Sequence, residues 1–171
     1  MTRAVVPRFD LIRFNDYIQV GIQYSRGCPF NCEFCDIIEL YGRKSRTKTS
    51  RQIIKELQTL YDLGYRGHID FVDDNFIGNK KLLKSDILPA LIAWRKGKIG
   101  MPFNTEASIN LADDPELMTL MTQAGFETVF VGIETPNEDS LVECSKIQNK
   151  GRDLVESVKR LQRAGLQVQG G

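Results

Sequence analysis

The sequence predicts an α/β fold built on a parallel sheet, and two observations support that prediction. Short β-branched or aromatic runs alternate along the chain with longer segments of helical periodicity, which is typical of proteins made of βα units. One of these short runs, residues 128–133, is continuously apolar, as expected for a strand covered on both faces. No low-complexity or strongly charged stretch divides the sequence, so we expect one domain over residues 1–171.

The first half of the chain contains two predicted strands with a helix between them. The first strand covers residues 18–24 and leads directly into a loop rich in cysteine. Ser50 is a suitable N-cap for the helix that follows, and Gly64 is a suitable residue to end it. Residues 68–72 then form the second strand, which runs into the acidic segment 73–75.

The second half continues the alternation. A second helix is predicted over about residues 80–96, interrupted or restarted near Pro89, where Asp86 is expected to cap a new turn. The third helix has a marked start and end, because Asp114 is a capping residue followed by proline and Gly125 closes the helix. The remaining predicted elements are strands at 102–108, 128–133 and 166–169 and helices at 138–144 and 152–164.

Charge and composition exclude several classes of protein. The chain has 23 basic and 22 acidic residues and a formal charge of +1, which argues against a nucleic-acid binder that relies on bulk charge. Hydrophobic residues make up 42% and charged residues 26%, as in ordinary globular domains. No apolar run of about 18 residues and no secretory signal occur, so we expect a cytoplasmic protein without a membrane span. In that reducing compartment, cysteines are metal ligands or buried thiols more often than disulfides.

Polar side chains follow four of the predicted strands. The cysteine loop follows the first, Asp73 and Asp74 follow the second, Glu106 lies on the third, and Glu134 follows the fourth. The carboxyl ends of parallel strands meet at one rim of a sheet, and ligands commonly bind there. We therefore expect these side chains to form one site for a small molecule.

The spacing of Cys28, Cys32 and Cys35, Cys-x-x-x-Cys-x-x-Cys, is the strongest chemical signal in the chain. Three thiolates in one short loop can hold one face of a metal centre. In a 4Fe-4S cluster, three irons would be bound by protein and the fourth would be open to a small molecule. The alternatives are a zinc loop completed by Cys144 or His68 and an incidental group of buried cysteines.

Residues 25–35, Ser-Arg-Gly-Cys-Pro-Phe-Asn-Cys-Glu-Phe-Cys, resemble the cluster loop of the radical S-adenosylmethionine (radical SAM) enzymes, with Phe34 at the aromatic position. The resemblance implies that Cys28, Cys32 and Cys35 bind a 4Fe-4S cluster whose open iron takes the amino and carboxylate groups of S-adenosylmethionine. It also implies reductive cleavage of that molecule to methionine and a 5′-deoxyadenosyl radical, which abstracts hydrogen. The electron would come from a donor such as flavodoxin or ferredoxin. The implied fold is a (β/α)6 TIM-like barrel, of which this chain holds about five βα units.

The same resemblance suggests roles for the acids at the strand ends. Family members carry a Gly-Gly-Glu-like segment after the second strand that binds the amino group of the cofactor, and this chain has Asp73 and Asp74 there without the glycines. Which of the two acids points inward is left open. Glu134 is the candidate to accept hydrogen bonds from the ribose, and Glu106 is a second candidate cofactor residue.

Three further segments, 40–46, 71–79 and 131–136, are similar to the subgroup that carries an upstream cobalamin-binding domain. Members of that subgroup include methylases that act on unactivated carbon, with hopanoid lipids among their substrates. The resemblance implies methyl transfer with cobalamin to a small-molecule or lipid substrate. It also leads us to expect a fragment that lacks the cobalamin domain and the C-terminal end of the barrel and is inactive in isolation. The alternative function is a non-catalytic module stabilised by zinc or an iron-sulfur site.

Overall fold

The computed structural model describes residues 1–171 and contains two sheets. The strands are β1 (Gln19–Ile22), β2 (Ser25–Arg26), β3 (Arg46–Thr47), β4 (His68–Phe71), β5 (Phe103–Glu106), β6 (Phe126–Val131) and β7 (Gln167–Gly170). Strands β1, β4, β5, β6 and β7 form one sheet in that spatial order, and every neighbouring pair is parallel. Strands β2 and β3 form a separate antiparallel pair, which the sequence did not predict. Because each new strand adds beside the previous one, this is the strand order of a partial barrel, and the predicted α/β fold is confirmed.

The helices connect the strands of the parallel sheet. They are α1 (Ile37–Tyr41), α2 (Ser50–Asp62), α3 (Lys80–Leu82), α4 (Leu88–Arg95), α5 (Pro115–Ala124), α6 (Glu138–Glu143) and α7 (Leu154–Arg163). None of them is long and apolar enough to cross a membrane.

The cap of α2 lies one residue before the predicted one. Thr49, and not Ser50, caps the helix: its side chain accepts from the backbone N–H of Gln52, and the Gln52 side chain accepts from the backbone N–H of Thr49. This reciprocal pair is a capping box, which satisfies two backbone donors, whereas a lone serine cap satisfies one. The predicted cap at Asp114 is confirmed, since its side chain accepts from the backbone N–H of Leu117, and α5 ends at Gly125 in the left-handed conformation.

The predicted restart near Pro89 is confirmed, since α4 begins at Leu88, but the chain does not leave the helix before it. Residues 80–95 are helical throughout, because a π-helical stretch, Leu83–Ile87, joins α3 to α4. Pro89 lies in the first turn of α4, where the missing N–H of proline is tolerated. Asp86 caps no turn and instead accepts a 2.8 Å hydrogen bond from the Ser50 hydroxyl, which ties this helical segment to α2.

One face of the parallel sheet packs against the helices and forms the core. Phe71, Phe76, Phe103 and Phe126 lie together there with ring centroids 4.9–5.3 Å apart, and all four are buried. Their edge-to-face and tilted contacts suit aromatic quadrupoles and make this cluster the centre of the apolar packing.

The opposite face, which is the inside of the partial barrel, is polar and open. Asp70 and Asn104 project into a cavity of about 430 Å³, together with further polar side chains of β1, β6 and β7. Phe130 of β6 is 40% exposed on this face. The expectation that β6 is covered on both faces was therefore wrong, because helices pack on only one side of a curved sheet whose interior is unfilled.

Candidate functional site

Side chains from five parts of the chain meet at the carboxyl ends of the strands, around a cavity of about 190 Å³. The loop after β1 contributes the three cysteines and two phenylalanines. The carboxyl ends of β4 and β5 and the residues after them contribute two acids, one amide and a serine, and residues beyond β6 and α6 complete the wall. The polar lining residues are Cys28, Cys32, Cys35, Asp74, Asn75, Glu106, Ser108, Glu134, Lys146 and Gln148. The structure thus brings the three cysteines, Asp74, Glu106 and Glu134 together at one rim, whereas Asp73 does not line this cavity.

The cysteine loop lies between β2 and β3, and contacts with the residues just before β3 hold its start in place. Gly27, directly before Cys28, has a φ of +98°, and a Cβ at this position would lie 2.6 Å from the carbonyl oxygen of Lys44. Only glycine can adopt this conformation and allow this approach without strain. The close approach lets the backbone N–H of Cys28 donate to the carbonyl of Gly42 at 3.3 Å, which anchors the start of the loop.

The three thiols are free and half-buried. Burial raises the pKa of Cys28, and the nearby thiols of Cys32 and Cys35 raise it further. No group of three or more His, Cys, Asp or Glu side chains is arranged to hold a metal ion in this structure. The residues suit an iron-sulfur cluster by their chemistry and their position. Three free thiols of one loop line the same cavity, and thiolates are the ligands that bind such clusters.

The structure distinguishes the two neighbouring acids that the sequence left open. Asp73 is 1% exposed and does not line the cavity; its side chain points toward the start of β2. Its carboxylate accepts from the backbone N–H of Tyr24 at 2.9 Å, from the Ser25 hydroxyl at 2.6 Å, and from the Ser25 backbone N–H. Burial raises the pKa of Asp73 to about 6. This side chain organises the chain between β1 and the cysteine loop.

Asp74, in contrast, lines the cavity beside the cysteines. Its Oδ2 atom is buried and has no hydrogen-bond partner. Burial raises the pKa of Asp74, and burial also raises the pKa of Glu106, with smaller contributions from Asp70 and Asp74. Asp74 and Glu106 therefore present carboxylates without partners of their own to a group bound in the cavity.

Glu134 reaches the cavity from the segment beyond β6 and forms an ion pair with Lys146. Its backbone adopts a φ of +65°, which is uncommon outside glycine. A Cβ at Gly132 would lie 2.5 Å from both Glu134 Oε1 and Lys146 Nζ, so the ion pair lies directly over the backbone at this glycine and would have to shift if a side chain were added there. Lys146 is 8% exposed, and its Nζ lies 5.4 Å from the ring centroid of Phe34, the aromatic residue of the cysteine loop.

Sequence reasoning missed Lys146 and Gln148. Both residues lie in the segment that follows α6. This segment packs against the cysteine loop, because the carbonyl of Cys144 accepts a 2.9 Å hydrogen bond from the backbone N–H of Glu33. No spacing signal links residues so far apart in sequence. His68 begins β4 and therefore lies at the opposite end of that strand from the cysteines, and the thiol of Cys144 does not line the cavity.

Comparison with known proteins gives consistent matches. The Radical SAM superfamily profile matches residues 22–170. An uncharacterized methyltransferase of Synechocystis is 49% identical over the whole chain, and the hopanoid C-2 methylase of Rhodopseudomonas palustris is 44% identical. The chain spans 32% of the length of each of these relatives.

Solved structures share the fold at lower identity. The radical S-adenosylmethionine methyltransferase TsrM of Kitasatospora setae, determined with tryptophan and a cofactor analogue bound, superposes with a TM-score of 0.77. It is 17% identical, and the match covers 92% of this chain and 30% of that one. The cobalamin-dependent radical enzyme OxsB gives a TM-score of 0.71 at 19% identity, covering 88% of this chain and 23% of that one.

Proposed function

The chain belongs to the radical SAM superfamily, and from this premise we propose that it is the cofactor-binding part of a methyltransferase. In this proposal Cys28, Cys32 and Cys35 bind a 4Fe-4S cluster, and S-adenosylmethionine binds beside it in the cavity at the strand ends. The observation that carries the proposal is the shared cavity: it unites the three thiols with Asp74, Glu134 and Lys146, which the fold brings from distant parts of the chain.

The charged side chains of the cavity match the charges of S-adenosylmethionine. The α-ammonium group of the cofactor needs an acceptor, and the unpartnered carboxylate of Asp74 supplies one. The ribose hydroxyls need acceptors as well, and Glu134 is placed to provide them. Lys146 is the only lysine or arginine that lines the cavity, so we assign it to the cofactor carboxylate. Phe34 forms an apolar wall on the cluster side, and Glu106 faces both this cavity and the polar interior of the barrel.

A bound and reduced cluster of this kind supplies the electron that cleaves S-adenosylmethionine to methionine and a 5′-deoxyadenosyl radical. The chain itself binds and orients the cofactor and keeps the thiols half-buried. For the whole protein we propose methyl transfer to carbon of a small-molecule or lipid substrate, because the named relatives are methyltransferases and one is a hopanoid methylase. Cobalamin would be bound outside these residues, and a protein such as flavodoxin or ferredoxin would supply the electron.

Anaerobic reconstitution tests the cluster assignment. We expect about four irons and four sulfides per chain, and an electronic or electron paramagnetic resonance (EPR) spectrum that changes when S-adenosylmethionine is added. Cys32→Ala should lose the cluster, whereas Cys144→Ala, a matched cysteine outside the cavity, should keep it. Stoichiometric zinc with near-zero iron, or a spectrum that S-adenosylmethionine does not change, would favour the non-catalytic metal module.

Binding of two ligands tests the role of Lys146. S-adenosylmethionine carries the carboxylate, whereas 5′-methylthioadenosine lacks the whole amino-acid carboxylate and ammonium. Lys146→Met should weaken binding of S-adenosylmethionine about tenfold or more, since a charge-assisted bond is worth about 1.5–3 kcal/mol. Binding of 5′-methylthioadenosine should change much less. An equal loss for both ligands would show that Lys146 acts only by holding Glu134 in place.

A further inference from the structure

The cysteine loop receives hydrogen bonds from two side-chain amides that the roles above do not use. We propose that Gln148 and Asn75 are positioning residues that donate N–H bonds to the sulfurs of Cys32 and Cys28 and raise the reduction potential of the bound cluster. This inference rests on the proposed function, because it requires these cysteines to be cluster ligands.

Gln148 lies against Cys32 although the two residues are far apart in sequence. Its Nε2 atom is 3.4 Å from the Cys32 sulfur, and its Oε1 atom is buried with no partner. A thiolate sulfur only accepts hydrogen bonds, so the amide N–H is the group that suits this contact. A half-buried amide whose side chain has a cysteine sulfur as its one hydrogen-bond partner, and whose oxygen is buried without one, is unusual, since buried polar atoms are normally satisfied by protein or water.

The backbone around Gln148 is fixed from both sides. The side-chain amide of Asn149, which is 1% exposed, donates to the carbonyls of Gly132 and Ile133 at 2.9 Å each. Arg152 donates to the carbonyl of Gln148 at 3.1 Å and forms a two-bond ion pair with Asp113. Gln148 is therefore held in place by the fold and does not depend on the thiol for its position.

Asn75 makes the matching contact to the first cysteine. It is 4% exposed, its Nδ2 atom lies 3.8 Å from the Cys28 sulfur, and its Oδ1 atom accepts from the backbone N–H of Ser108 at 3.3 Å. The bond to Ser108 orients the amide so that its N–H faces the sulfur. Cys35 receives no side-chain amide, so the two donors act on two of the three ligands.

The expected effect follows from charge. Reduction adds one electron from an external reductant to the cluster and makes its sulfurs more negative, while no bond breaks. An N–H donor stabilises the more negative state more than the less negative one, and hydrogen bonds to the sulfurs are among the factors that set cluster potentials. Removing a donor should therefore make the cluster harder to reduce.

The test is an anaerobic dithionite titration of the reconstituted chain, followed by the EPR signal of the reduced cluster, without S-adenosylmethionine. Gln148→Leu removes the donor, and Gln148→Glu keeps the side-chain length but places a carboxylate beside the sulfur. At the solution potential that half-reduces the wild-type cluster, Gln148→Leu should lower the reduced-to-oxidised ratio at least about threefold, which is about 28 mV at 59 mV per decade. Gln148→Glu should lower it further, and the exposed control Gln123→Leu should leave it unchanged.

Asn75→Asp provides a second arm, because it keeps an acceptor for Ser108 and removes the N–H. It should shift the ratio in the same direction. An unchanged ratio in both Gln148 variants with full cluster content would overturn this inference alone and leave the proposed function standing. Loss of the cluster from both Gln148 variants would also overturn it, since the contact would then serve assembly. A wild-type chain that binds no cluster would refute the proposed function and this inference together.

Discussion

Replacing Asp73 and Asp74 separately should impair two different properties of the chain, its stability and its binding of the cofactor. Asp73→Ala is expected to destabilise the fold, whereas Asp74→Ala is expected to weaken binding of S-adenosylmethionine with little effect on stability. The reason is their placement: Asp73 is 1% exposed and accepts three hydrogen bonds, while Asp74 lines the cavity with an unpartnered oxygen.

The size of the Asp73→Ala effect can be worked out from its contacts. The alanine would leave three donors without an acceptor, the backbone N–H groups of Tyr24 and Ser25 and the Ser25 hydroxyl. At about 2 kcal/mol for each buried unsatisfied donor, the loss is about 6 kcal/mol. The substitution also removes a buried charge, whose desolvation raises the pKa from 3.8 to about 6, and at about 1.36 kcal/mol per pKa unit this returns about 3 kcal/mol. We therefore expect the free energy of unfolding to fall by about 3 kcal/mol.

Urea denaturation of the apo chain, followed by circular dichroism at pH 7, measures this change. Isothermal titration of the reconstituted chain measures binding of S-adenosylmethionine. Asp74→Ala is the matched control for stability, and we expect it to change the free energy of unfolding by less than about 1 kcal/mol. If Asp73→Ala were as stable as the wild type and failed to bind the cofactor, while Asp74→Ala bound it normally, the assignment of the two acids would be reversed.

Three further predictions concern the fold around the site. Lys48→Met should lower the free energy of unfolding by about 3–5 kcal/mol, because it leaves the carboxylate of Glu56, which is 2% exposed, buried without its ion-pair partner. The double variant Lys48→Met/Glu56→Leu should recover most of that loss in the same urea assay. Lowering the pH from 7 to 5 should raise the free energy of unfolding of the wild-type chain by about 1 kcal/mol. The pKa of Asp73 is raised to about 6 in the folded state, so the folded chain takes up a proton there before the unfolded chain does, and this stabilisation is lost again as the pH rises through 6. Asp73→Ala should lack this part of the gain, and an identical pH profile would contradict the raised pKa. Gly27→Ala should destabilise the chain by about 1–3 kcal/mol and reduce the iron content on reconstitution. The reason is that the φ of +98° at Gly27 and the 2.6 Å approach to the Lys44 carbonyl leave no room for a methyl group. Normal iron binding by this variant would show that the segment around Lys44 can move.

Features that depend on neighbours in sequence were predictable. The predicted strands and long helices all occur, because periodicity, capping residues and closing glycines such as Gly125 act within a few residues. One error was local, because the capping box of Thr49 and Gln52 takes the place of the predicted cap at Ser50, and other errors occurred where a longer-range contact decided the outcome. Asp86 has the chemistry of a cap, but the Ser50 hydroxyl on another helix is its partner, so α4 begins near Pro89 without a side-chain cap.

The sequence by itself determined the cysteine loop, the parallel α/β architecture and the set of acids at the strand ends, since spacing and strand order fix these. Only the tertiary structure decided that Asp74 and not Asp73 faces the cavity, because two adjacent side chains after a strand point in different directions and the donors of Tyr24 and Ser25 take one of them. It also brought Lys146 and Gln148 to the cysteines. The position of Lys146 and Gln148 beside the cysteines depends on how two distant segments of the chain pack together, since Cys32 and Gln148 are 116 residues apart in sequence. No local sequence pattern encodes a contact over that distance.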